Sequence, residues 1–324
     1  MSSRRAARVQ VIGAGAWGTA MALQAFKAGA SVSLWARDPA KATAMARSRA
    51  NPHLPGVALP AGLEVSHAWA DAELVLLAMP MQALRGLAPA LPGGLLVACC
   101  KGVEAGSHLL PLEVLAQVHP GRPACVLTGP NFAGEVARGL PAAAVVAGLD
   151  AAARAAAIAA LATPGFRLYG NDDPIGAQVG GAAKNVVAIA AGAVIGAGLG
   201  ENARAALVTR GLAELARLAV ALGGRAETVS GLSGLGDLLL TCTGAGSRNF
   251  SFGLALGRGE AVAAILAGRD SVTEGVATAP ALVARARALG VELPIAEAVA
   301  AVVEGRSTVA EAMRALLGRR LRDE

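Results

Sequence analysis

The 324-residue chain predicts an α/β fold, with a doubly wound sheet over residues 1–174 and an all-helical domain over 175–324. Three observations carry this expectation. In the first half, short continuous apolar runs alternate with helical stretches, the pattern of parallel strands covered on both faces. A glycine-rich turn joins the first apolar run to the first helix. From residue 178 to the end nearly every segment has helical periodicity, broken by Gly/Ser joints such as 230–236 (SGLSGLG).

Residues 8–12 (RVQVI) form the first predicted strand, 13–18 (GAGAWG) the loop, 19–27 a helix closed by Gly29, and 31–35 (SVSLW) a second strand. Further strands are expected at 74–78, 95–99, 125–128 and 143–147, and a helix at 82–87 after Pro80. The polar cluster 171–174 (NDDP) marks the domain boundary. Beyond it, helices are expected at 186–197, 203–222, 261–267 and 277–289.

Composition excludes several classes. At 54% hydrophobic and 16% charged residues the chain is not disordered. The longest near-apolar run, 186–200, falls short of the roughly 18 residues that span a bilayer, so a buried core helix and no stable membrane insertion are expected. No apolar segment precedes the first strand, so a cytoplasmic protein is expected. Cys99, Cys100, Cys125 and Cys242 lack metal-ligand spacing and are expected as buried free thiols, with no metal. The net charge of +6 is scattered, and aromatics make up 3%. That argues against a nucleic-acid partner and for an anionic small molecule. The apolar second half is compatible with a homodimer. Only four lysines occur, Lys27, Lys41, Lys101 and Lys184, against 25 arginines. A retained lysine points to a position that needs an amine able to release its proton.

The unit of strand, glycine loop, helix and strand makes GxGxxG a dinucleotide-binding, Rossmann-like fingerprint. Gly13 allows the tight turn, Gly15 the backbone approach to a pyrophosphate, and Gly18 close helix–sheet packing. The N–H groups at the start of the following helix face the phosphates; Trp17 sits on the loop, and its indole either covers the cofactor or packs between helix and sheet. After the second strand, Arg37 is placed to meet a 2′-phosphate, favouring NADP over NAD, and Asp38 is expected to cap the helix after Pro39.

Chemistry-bearing residues cluster in four further segments. Lys101 follows a strand end, where ligands bind in doubly wound sheets. Gly129 and Asn131 follow another. Lys184 and Asn185 open the most apolar helix, where desolvation favours the neutral amine. Asp237 and Thr241 lie in 234–241 (GLGDLLLT), the acid being either a helix cap or the partner of a buried cation. Ser247, Arg248 and Asn249 follow a glycine loop and suit a phosphate.

These stretches resemble the bacterial-type NAD(P)-dependent glycerol-3-phosphate dehydrogenases nearly end to end. The matching segments are 13–20 (GAGAWGTA), 51–56 (NPHLPG), 101–104 (KGVE), 129–141 (GPNFAGEVARGLP), 180–192 (GGAAKNVVAIAAG), 234–253 (GLGDLLLTCTGAGSRNFSFG) and 272–279 (VTEGVATA). The family often carries Tyr before Leu-Pro, where this chain has His53. The resemblance implies reversible reduction of dihydroxyacetone phosphate to sn-glycerol 3-phosphate for phospholipid synthesis. It implies Lys184 as the catalytic lysine; Asp237 is then expected to orient its ammonium and Lys101 to add positive charge near the oxyanion. Substrate contacts are Lys101, Gly129, Asn131, Asp237, Ser247, Arg248 and Asn249, joined by Lys184, Asn185 and Thr241. Cofactor contacts are Ala16, Trp17, Arg37, Lys101, Ala133, Arg248, Val272 and Glu274. On the residues alone, two readings stay open: another two-domain hydroxyacid dehydrogenase or ketopantoate reductase, and a non-catalytic NADP sensor.

Overall fold

The computed structural model describes residues 6–244, 246–269 and 272–319. The chain divides into two compact units. The first holds residues 1–101 and 111–174, the second 102–110 and 175–324.

Among the described residues the first unit contains eight strands: β1 (Arg8–Ile12), β2 (Ser31–Trp35), β3 (Glu64–Ser66), β4 (Leu74–Leu77), β5 (Leu95–Ala98), β6 (Ala124–Thr128), β7 (Ala142–Ala147) and β8 (Phe166–Asn171). Its helices are α1 (Ala16–Lys27), α2 (Pro39–Ser48), α3 (Leu84–Leu87), α4 (Pro111–Val118), α5 (Ala133–Arg138) and α6 (Ala151–Leu161). The strand order β3-β2-β1-β4-β5-β6-β7-β8 reverses between β1 and β4. That reversal is the switch point where doubly wound sheets bind ligands. Valines and leucines of β1, β2, β4 and β6 meet α1, α5 and α6 in one core.

The sheet is not wholly parallel as expected: β6 and β7 pair antiparallel, Val126 opposite Ala147. The six residues of α5 rise only about 9 Å, less than the roughly 17 Å of a five-residue strand. The chain therefore re-enters the sheet from the end it left. β8 carries no strand signal in the sequence, because its exposed residues hide its register beside β7.

The second unit contains α7 (Pro174–Gly196), α8 (Gly200–Ala221), α9 (Ala226–Val229), α10 (Asp237–Thr243), α11 (Arg248–Gly257), α12 (Val262–Ala267), α13 (Glu274–Ala288), α14 (Pro294–Val303) and α15 (Val309–Leu317). Val103 and Leu110, from the short excursion 102–110, belong to this unit's core. By length and composition α7 could cross a membrane, but 78% of its most apolar window is buried in the fold. It is the axis of the unit. Glycines let its neighbours touch its backbone. A Cβ on Gly192 would lie 2.1 Å from the Phe250 carbonyl of α11, and one on Gly180 would lie 2.6 Å from that of Ser233.

Here the structure corrects two expectations. Lys184 does not open α7; the helix starts ten residues earlier at Pro174, a residue that suits a first turn because no N–H is needed there. Gly180 weakens the helical pattern locally, and its role in admitting the Ser233 backbone is invisible there. The supposed joint 230–236 is itself helical over its last five residues, a π-turn (Leu232–Gly236) running straight into α10.

Candidate active site

In the first unit, β1 ends in the glycine loop. Gly13 has φ +110°, and a Cβ there would lie 2.9 Å from the Ala78 carbonyl carbon at the end of β4. A Cβ on Gly18 would sit 1.8 Å from the Gly13 carbonyl, so α1 closes against the loop only with glycine. Gly15 meets nothing within 4 Å; it is the N-cap of α1 and brings no side-chain hydrogen bond. The first-turn amides of Ala16, Trp17 and Gly18 are therefore left for an anion. Trp17 lies in this first turn rather than on the loop, and its indole packs on the sheet core. Its buried Nε1–H has no acceptor among the described residues. An uncapped helix start behind an open glycine, with one orphaned donor beside it, fits a dinucleotide pyrophosphate. Arg37 is exposed beyond β2, and Asp38 caps α2 as expected, accepting from Ala40 and Lys41.

Lys101, three residues past β5, donates from Nζ to the Gly129 carbonyl at 3.3 Å. Gly129 holds φ +153°, and a Cβ would press on β7 at 2.9 Å from Ala144 Cα. Asn131 donates to the Ala143 carbonyl at 3.2 Å, while its buried Oδ1 has no partner among the described residues. Ala133 begins α5. The first unit thus brings Lys101 and Gly129 into direct contact, with Asn131 two residues on.

In the second unit, Lys184 Nζ contacts the Asp237 carboxylate in a buried ion pair. Asp237 is thus the partner of a buried cation and also the first residue of α10. The π-turn before it requires Gly234, where a Cβ would overlap the Val229 carbonyl at 1.9 Å. Single wide turns of this kind recur at functional sites. Thr241 bonds back to the Asp237 carbonyl one turn on. Burial pushes the nearby Cys242 thiol up to about 12, against the pull of Lys184, so it stays a neutral core group. All four cysteines are buried and free. No group of three or more metal-ligating side chains occurs among the described residues.

The expected phosphate clamp is only partly free. Ser247 accepts from Phe250 N as the N-cap of α11. Asn249 donates to Asn185 Oδ1 at 2.8 Å and accepts from Gly275 N at 2.9 Å. Asn249 therefore joins α7, α11 and the start of α13, where Glu274 is the first residue. Arg248 is exposed at the first position of α11, while Val272 is exposed just before α13. Two residues have roles that their local sequence does not state. Arg269 donates to the Arg248 carbonyl at 2.9 Å and to Ser251 Oγ at 3.1 Å, and lies over the Phe252 ring at 5.6 Å. Burial, and then the like charge of Arg248, lower its pKa. The charge of Arg269 adds to that of Arg248, which favours an anion there. Asn51 is the other, and its contacts are described below. Each role depends on residues far away in sequence, which the local residues do not state.

Fold and residues together define a dinucleotide-dependent oxidoreductase with a buried lysine–aspartate pair. Family models for the N-terminus and C-terminus of NAD-dependent glycerol-3-phosphate dehydrogenase match residues 8–154 and 173–314. The chain is 58% identical over 316 residues to a glycerol-3-phosphate dehydrogenase [NAD(P)+] of Acidiphilium cryptum, covering 97% of both chains. It is 52% identical to the Gluconobacter oxydans enzyme of the same name, over 86% of this chain and 87% of that one. The crystal structure of glycerol-3-phosphate dehydrogenase from Coxiella burnetii superposes with a TM-score of 0.91 at 34% identity, covering 97% of this chain and 99% of that one. The chain belongs to the NAD-dependent glycerol-3-phosphate dehydrogenase family. A ketopantoate reductase of Ralstonia eutropha, at TM-score 0.59 and 19% identity over 94% and 99% of the two chains, shares the fold alone.

Proposed function

We propose that the protein reversibly reduces dihydroxyacetone phosphate to sn-glycerol 3-phosphate with NADPH or NADH. The observation that carries the reading is the buried Lys184–Asp237 pair, built by a π-turn at the head of α10. A buried lysine kept beside one carboxylate suits a positioned proton donor better than a surface charge.

The glycine loop, the first turn of α1 and Ala133 would hold the dinucleotide, which supplies the hydride when bound. Arg37 would meet a 2′-phosphate, favouring NADPH; a strong preference for NADH in the Michaelis constants defeats that assignment. Lys184 Nζ donates a proton to the ketone oxygen as that oxygen gains charge, and takes it back in the oxidative direction. Asp237 orients the ammonium. Lys101 adds positive charge of the kind that stabilises a developing oxyanion. Arg248, steadied by Arg269, grips the substrate phosphate, so binding energy from a non-reacting group goes into positioning. Asn249 and Asn185 act chiefly as struts between helices, and Ser247 as the cap that presents Arg248.

The deciding experiment follows NADPH absorbance with dihydroxyacetone phosphate, ketopantoate and unphosphorylated dihydroxyacetone as substrates. Oxidation with the first alone supports the reading. Equal turnover of ketopantoate, or binding of NADPH with no ketone reduced, overturns it in favour of the reductase or the sensor. Cytoplasmic location and feeding of glycerophospholipid synthesis belong to the same proposal.

A further inference from the structure

The motif 51–56 (NPHLPG) plays no part in the chemistry above, yet its asparagine is 2% exposed. Asn51 follows α2 and reaches back 37 residues to the glycine loop. Its Nδ2 donates to the Ala14 carbonyl at 3.0 Å and to Thr19 Oγ1 at 2.6 Å. Its Oδ1 accepts from His53 N at 2.9 Å. The Ala14 carbonyl can only accept, so the orientation of the amide is fixed by chemistry.

The Ala14–Gly15 peptide is planar, and the chain contains no cis bond among the described residues. Its N–H points opposite to its carbonyl. With the carbonyl turned to Asn51, the Gly15 N–H points away from Asn51, and no acceptor receives it among the described residues. It therefore joins the free amides of the first turn of α1. Glycine creates a weakness here. A peptide that precedes glycine flips readily, because glycine accepts the positive φ that the flip produces. Flipped, the loop would present an oxygen where a phosphate needs a hydrogen.

We propose that Asn51 is a positioning residue that locks the Ala14–Gly15 peptide so that the Gly15 amide faces the cofactor pyrophosphate. This rests on the dinucleotide reading above. The openness that lets a phosphate approach Gly15 makes the loop ambiguous, and a buried amide from a distant turn removes the ambiguity.

The test is titration of NADPH, NADH and ADP-ribose into wild type, Asn51→Ala and the near-isosteric Asn51→Asp, with thermal unfolding of each. Loss of an orienting hydrogen bond should raise all three dissociation constants by the same factor, about tenfold in Asn51→Ala. The effect should be greater in Asn51→Asp, whose carboxylate repels the Ala14 carbonyl. The Michaelis constant for dihydroxyacetone phosphate at saturating NADPH should stay unchanged, which a general loss of fold would not give. Affinities within about twofold of wild type in both folded variants, or a parallel rise in the ketone constant, overturn the proposal. A wild-type protein that binds no dinucleotide overturns the cofactor reading itself.

Discussion

Glycine serves opposite ends in the two units. In the first, Gly15 faces open space, and the loop is bare so that a ligand can reach backbone. In the second, glycines of α7 and α11 are covered by each other's backbone. Cβ atoms on Gly192 and Gly196 of α7 would lie 2.1 and 2.2 Å from the carbonyls of Phe250 and Leu254. Those on Gly253 and Gly257 of α11 would lie 1.9 and 2.2 Å from the carbonyls of Ile189 and Ala193. The two helices run side by side in the same direction, each pressing glycine into the other's backbone. Two turns upstream on α7 stand Lys184 and Asn185; one turn upstream on α11 stand Arg248 and Asn249. Binding residues of the first unit are thus presented by a loop, and those of the second by the fixed separation of two helices. A substitution should therefore damage cofactor affinity in one unit, and stability or the ketone step in the other.

The largest effect expected is on turnover. Lys184→Ala should lower kcat by at least ~10²-fold with the dissociation constant of NADPH kept, read by steady-state kinetics and titration. Wild-type turnover would remove the amine from the mechanism. Arg248→Ala removes a charge-assisted contact and should raise the Michaelis constant for dihydroxyacetone phosphate about tenfold or more. Arg269→Ala, which loses only the support of Arg248, should raise it less. An unchanged constant in Arg248→Ala would take that residue out of the clamp.

Two alanine substitutions sharpen the contrast directly. Gly253→Ala forces a methyl into the Ile189 carbonyl and should cost about 1–3 kcal/mol in urea unfolding. It should also weaken ketone binding, because α11 must retreat from α7. Gly15→Ala has room and an ordinary φ of −75°, so it should unfold like wild type and lose dinucleotide affinity alone. Equal destabilisation by both would refute the division of labour.

The first unit was largely legible in the sequence because its signals are local. GAGAWG, Asp38 before Pro39, and the apolar runs of β1, β2, β4 and β5 each state their role within a few residues. The second unit's chemistry was legible in part. Lys184 and Asp237 stood out as an isolated amine and an acid before leucines, and the structure pairs them across 53 residues. The true start of α7 was not legible, because Gly180 is there to admit the Ser233 backbone, a constraint that no local propensity records. The bonds of Asn249 to Asn185 and Gly275 were not legible for the same reason: both partners lie far away in the chain. Arg269 carried no motif, and the motif that holds Asn51 did not state which groups its amide meets.

A pH-dependent effect probes the packing behind α7. Glu214 of α8 is 4% exposed, and its carboxylate accepts from Ile295 N at 2.7 Å and Ala296 N at 3.3 Å at the start of α14. One turn before it, a Cβ on Gly211 would meet Val187 of α7 at 2.7 Å, so the helices leave little room for water. Burial pushes the Glu214 carboxyl from its ordinary 4.5 up to about 7, against the pull of the two amides. The folded state therefore binds this proton more tightly than the unfolded chain does. Between about pH 4.5 and 7 the folded protein holds more of the proton, so this group's contribution to stability falls as pH rises through that window and levels off above it. Glu214→Gln cannot titrate. In urea unfolding at pH 5, 6, 7 and 8, the stability difference between wild type and variant should shift against wild type with rising pH by about 1–3 kcal/mol in total. A difference that stays constant across the series would mean that the two helix amides hold the carboxylate at its ordinary value, and that the space behind α7 is wetter than its packing indicates.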